Sequence, residues 1–169
     1  MTQAEAAPGS GEQAQALVRR HGYAAAALTL VPLPIAETVG VPAVHAAMAL
    51  ALGRHYGRTL DGEGAARLLA RLGATVGASW LGTRVALGLA KLVVPGLPGL
   101  VGAPLVFATT LGLGAVLRAW FERGELDDEE VRAIYRAAVA RARADFDPRE
   151  ARSPDASRLA REAGEGPAA

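Results

Sequence analysis

KLVVPGLPGLVGAPLVFATTLGLGAVLR, residues Lys91–Arg118, decides how this chain folds. Between its two terminal cations run 26 residues without a formal charge, yet Pro95, Gly96, Pro98, Gly99, Gly102 and Pro104 crowd the first half. Proline removes a helix donor and its ring clashes with the preceding turn, which disfavours one straight helix through the whole stretch. The pattern predicts an apolar helix ending near Val94, a tight Pro/Gly corner, and a second apolar helix from about Pro104. Two environments accept such an apolar helical hairpin: the core of a helical bundle, or a bilayer.

Composition keeps both environments open. At 169 residues the chain is long enough for one domain with a real core. Apolar residues reach 51% and charged residues fall to 21%, on either side of the usual shares. Much of the apolar content is alanine, which favours helices and lets them approach closely. Cysteine is absent, which excludes disulfides, zinc–thiolate sites and thiol catalysis. Residues 22–120 carry seven cations and three anions, whereas residues 121–169 carry nine cations and twelve anions. The apolar body is mildly basic and the tail acidic, and neither is strong enough for nucleic-acid binding. MTQAEAAPGSGEQ lacks the basic start and apolar run of a secretory signal.

Working outward, residues 1–11 are Ala/Gly/Pro/Ser-rich and read as disordered. A helix is predicted from near Glu12 until Pro32 and Pro34 end it. The next helix has Pro42 in its first turn and a stripe of Val41, His45, Met48, Leu52 and His55, with Gly57 as its stop. Asp61 reads as the N-cap of a long helix to Val94. Within it, Glu63, Arg67 and Arg71 make a solvated face, and Arg84 and Lys91 make a second polar face roughly opposite. The helix after Pro104 ends in Arg118 and Trp120, which suit either a membrane–water boundary or the rim of a soluble core. Gly124 closes it. Asp127 with Glu130 then resembles a capping box, flanked by Leu126 and Val131 as a hydrophobic staple. From Asp147 the chain is polar and reads as disordered. No segment alternates as a strand does. The expected architecture is all-α: a compact bundle of about five helices over residues 12–146, containing the hairpin, with a disordered N-terminus and a disordered tail at 147–169.

Several stretches together resemble one family. LVPLPIAETVGVPAVHAAMALALGRHYG, DGEGAARLLARLG, KLVVPGLPGLVGAP and ATTLGLGAVLRAWFERG are similar, in order and spacing, to the YcjF-like family of helical domains that accompany bacterial GTPases. The resemblance spans about Leu17 to Arg143. It implies an all-helical, membrane-associated protein with a GTPase as neighbour or partner. Two departures stand out: Ile35-Ala36-Glu37 where the family often has Gly-Ala-Asp, and His45 where it often has Gln. The chain has no G-x-x-x-x-G-K-[ST], so it is not itself a P-loop GTPase.

No residue pattern points to catalysis, a cofactor or a metal. Glu37 and His45 stand on either side of the Pro42 turn and could meet there, but an acid–base pair needs a third positioned group, and a buried polar contact or plain exposure is the simpler reading. Gly96, Gly99 and Gly102 belong to the hairpin corner, since a phosphate-binding nest needs a preceding strand. Gly73-x-x-x-Gly77, Gly112 and Gly114 are candidates for close helix packing, and the first pair also for self-association within a membrane. Arg67, Arg71, Arg84, Lys91 and Arg118, with Trp80 and Trp120, are candidates for the membrane interface. The expectation is a non-enzymatic protein on the cytoplasmic side of the inner membrane, with lipid, a GTPase and a second copy as its candidate partners. The alternative is a soluble cytoplasmic helical interaction module.

Overall fold

The computed structural model describes residues 10–30, 39–76 and 98–165. Among them the chain is helical and contains no strand. α1 spans Ser10–Leu30, α2 Val41–His55, α3 residues 62–76, α4 Pro98–Arg123, α5 Asp128–Ala142, α6 Pro148–Ala151 and α7 Pro154–Glu165.

Local chemistry sets the element ends. Gly57 adopts φ +67° after α2, and Gly124 adopts φ +93° after α4. Both angles lie in the left-handed region, where a β-carbon is penalised. Asp61 caps α3 by accepting from Gly64 N at 2.6 Å. The Asp127 carboxylate accepts from Glu129 N and Glu130 N, and Asp127 N donates to Glu130 Oε2 at 3.3 Å. This completes the capping box, and Leu126 and Val131 join one apolar cluster beneath it.

α4 and α1 share the centre, with α6 and α7 resting on the α1 side. α1, α2 and α5 all lie against it, and Ala103, Phe107, Ala108, Thr110, Val116 and Leu117 are buried there. One cluster joins Val116, Leu117 and Phe121 to Val18 of α1, Met48 and Leu52 of α2, Leu68, Leu72 and Val76 of α3, and Val131 and Tyr135 of α5. Tyr23 and Phe107 sit at the centre of a second cluster, with ring centroids 4.4 Å apart.

Two expectations need correction. The corner does not extend to Pro104, because α4 already begins at Pro98. Proline at the first helical position loses no bond. Pro104, inside the second turn, forfeits one bond, to the carbonyl four residues earlier. Its ring also crowds that carbonyl, so α4 carries Pro104 at a cost that the packing of the helix offsets. The first arm of the hairpin, with Pro95 and Gly96, lies outside the described residues. Residues 147–165, read as a disordered tail, are also helical. Asp147 caps α6 through Arg149 N at 2.8 Å, and Ser153 accepts from Ala156 N at 3.2 Å at the start of α7. Ala151, Ala156 and Ala160 are buried, and α7 lies on α1 and α2. The helical pattern is present in the tail: Ala156, Leu159, Ala160 and Ala163 repeat at helical spacing opposite a strongly charged face, and Pro148, Pro154 and the many charges obscured it.

Candidate functional site

The faces of α4 are shaped by small residues. A β-carbon at Gly114 would overlap the Val18 side chain of α1. One at Gly112 would lie 2.6 Å from Val139 Cγ2 and 2.8 Å from the Tyr135 ring, both on α5. From the α1 side, Gly22 makes room for Leu111 and Phe107, a role not read from the sequence. Gly102 faces Thr29 at 4.0 Å, so the turn containing this corner residue also rests on α1. Gly73, by contrast, opens on empty space. Gly77, its partner in the G-x-x-x-G, lies outside the described residues.

Few polar groups enter this core. His45 Nε2 and Thr110 Oγ1 lie 3.0 Å apart where α2 meets α4. Glu37 lies outside the described residues. His21 is buried on α1, and its Nδ1–H donates to the Leu17 carbonyl at 2.9 Å. Burial pushes its pKa below 6.5, the Leu17 bond opposes this, and the Arg20 charge adds to the lowering. Burial also pushes the Tyr135 hydroxyl up to about 12, against the pull of Arg143. Among the described residues no three His, Asp or Glu side chains come together to hold a metal ion. These groups are spaced singly along helix contacts, an arrangement that holds helices in register.

The densest polar cluster ties the end of α2 to the end of α4. Tyr56 donates to Glu122 Oε1 at 2.6 Å, and Arg118 Nη2 stands 3.6 Å from the same oxygen. The Tyr56 ring stacks on Phe121 at 5.7 Å, and the Arg58 guanidinium sits 5.6 Å from the Trp120 ring. Partial burial, then the Glu122 bond, raises the Tyr56 pKa above 10.

The membrane-interface candidates fare unevenly. Arg67 pairs with Glu63 at 3.6 Å, Arg71 with Glu125 at 2.9 Å, and Arg118 with Glu122. Trp120 is half-buried against the core, its ring edge-on to Phe121 at 5.0 Å. Trp80, Arg84 and Lys91 lie outside the described residues. α4 itself contains Gly102–Arg123, which is long and apolar enough to cross a membrane, and half of its most apolar window is buried inside the protein.

Comparison with known proteins bears on this helix. The chain is 28% identical over 139 residues to magnetosome membrane protein 22 of Magnetospirillum gryphiswaldense, covering 78% of this chain and 71% of that protein. No family model matches the chain, and neither does any solved structure. A chain whose described residues are helical, with one helix among them long and apolar enough to cross a bilayer, is thus similar to a protein named for a membrane.

Proposed function

We propose that this chain is a non-enzymatic, membrane-associated helical protein. In this reading it is held at the cytoplasmic face of the inner membrane and serves as a membrane-proximal partner or adaptor of a bacterial GTPase. The observation that carries the membrane part is the similarity to a magnetosome membrane protein over 78% of the chain. The GTPase part rests on the resemblance to the YcjF-like family alone.

The packing of α4 favours a surface-bound mode. α1, α2 and α5 already lie against this helix, and α5 carries exposed charges along its outer side. To cross a bilayer, α4 would have to shed these neighbours or bring their charges into hydrocarbon. The same burial favours a second reading, a soluble helical interaction module. Flotation of a lysate through a density gradient without detergent separates the two. Migration with the lipid fractions supports the membrane reading. A monodisperse protein left at the bottom rejects it and leaves the soluble module.

A further inference from the structure

The fold sorts the formal charges of α1, α2 and α4 to one end. α1 and α4 run antiparallel, since Gly102 faces Thr29 and Gly114 faces Val18. α2 starts where α1 ends, with Gly40 against Leu28, and stops where α4 stops, with Tyr56 stacked on Phe121. Glu12, Arg19 and Arg20 of α1, Arg54 of α2, and Arg118, Glu122 and Arg123 of α4 therefore share one end. The opposite end collects residues 21–30, 41–53 and 98–117, which contain no Asp, Glu, Lys or Arg.

That end is also where apolar side chains reach the surface. Val39 is 62% exposed, the one exposed large apolar side chain among the described residues. Pro42 is exposed too, and Leu30, Pro104 and Leu105 are half-buried. The other described helices, α3, α5, α6 and α7, all carry charged residues on their exposed sides. α6 and α7 rest on the α1 flank and bring charges of both signs alongside, Arg149, Glu150, Arg152 and Asp155 among them. A single exposed valine is ordinary. Three helix ends without a charge, gathered at one place in the fold, are not.

We propose that this charge-free end seats in a phospholipid bilayer, at the boundary between headgroups and acyl chains. The proposal rests on the membrane-association reading and names the face. A bilayer surface is the partner that matches the sorting of charge: the apolar end enters it and the charged end stays in water. The helix ends also set the depth. The last carbonyls of α1 and the first amides of α2 have no partner within their own helices, and Gly40 has no side chain to cap the α2 amides. Such groups are costly in hydrocarbon, so the seat is shallow, about 5–10 Å, and no helix crosses.

The test is co-sedimentation of the purified full chain with vesicles of phosphatidylcholine, alone or mixed with phosphatidylglycerol. The wild type should bind both, and binding should persist in about 1 M salt, where charges more than about 3 Å apart are screened. V39D/P42D should lose about 10-fold or more in affinity, since withholding one valine from an apolar environment already has that effect. Both positions are exposed, and an acid at the start of α2 suits the helix dipole, so this variant should fold. V39L should bind at least as tightly as the wild type, because it adds apolar area. Q15D/A16D puts the same two charges at exposed positions of the opposite end and should bind as the wild type does. Circular dichroism confirms that each variant is folded. Binding to the anionic vesicles alone, loss of binding in high salt, unchanged binding by V39D/P42D, or an equal loss in Q15D/A16D overturns the proposal. So does a wild-type dimer that V39D/P42D splits without any vesicle binding, which would make this end a contact between copies. If the wild type and V39D/P42D float equally with cell membranes, the face is wrong and the membrane reading stands. If the wild type neither floats nor binds vesicles, both fall.

Discussion

At the scale of single residues, the account depends on where side chains have no room. Gly112 and Gly114 were legible as packing positions because an apolar helix with two glycines two apart invites close neighbours. Which neighbours they meet was not legible, since Val18 and Tyr135 lie far from them in sequence. Gly112→Ala and Gly114→Ala should each destabilise the fold by about 1–3 kcal/mol, through overpacking against Val139, Tyr135 and Val18. Gly73→Ala, which meets open space in a helix, should instead stabilise it by about 0.5–1 kcal/mol. Denaturant titration of the three variants checks the contrast in sign. His21 gives a pH signature. Its folded pKa is lowered, so below about 6.5 the unfolded chain takes up a proton that the folded chain resists. Stability from this residue is complete above that pH and drains away as the pH falls through the folded pKa. His21→Gln should flatten the stability profile between about pH 7 and 5. An unchanged slope in thermal melts would mean that the titrating group lies elsewhere.

At the scale of elements, the ends were the most readable features and the charged, proline-flanked C-terminal helices the least. Caps are local chemistry: Asp61, the Asp127–Glu130 box, Gly57 and Gly124 each act within a few residues, so the sequence contains both partners. Asp127→Ala should cost about 1 kcal/mol, measured by denaturation, because two donors of the first turn of α5 lose their acceptor. The start of α4 was misplaced because a proline was weighed by its identity and not by its depth in the helix. α7 was missed for a different reason. Its buried face is small, Ala156 joining Ala26 and Ala27 in one cluster and Ala160 joining Ala24, Ala25 and Val44 in another, and Pro148, Pro154 and the many charges around it read as the end of structure. So small a buried face makes α7 separable. Ala160→Glu should drive a carboxylate into that face and release α7. Hydrogen exchange should then speed up across 154–165 while α4 stays protected. Retained protection in α7 would contradict its placement.

At the scale of the whole molecule, helical class followed from composition and the missing strand pattern, and the relation between α4 and its surroundings did not. An apolar run of this length looks alike in a sequence whether lipid or protein covers it. Only the packing of α1, α2 and α5 on α4 separates a helix that serves as a core from one prepared for a bilayer. Ion pairing between elements was equally hidden. Arg71 finds Glu125 across 54 residues of chain, a pairing that neither residue's local sequence announces. α4 is thus half covered by α1, α2 and α5, and the proposed attachment to membrane is made from the surface of the bundle. Extraction of membranes with alkaline carbonate tests this most directly. The protein should sediment with membranes in low-salt buffer and pass into the supernatant on carbonate treatment. Retention in the carbonate-washed pellet, released only by detergent, would mean that helices of this chain are embedded in the bilayer and would contradict the account.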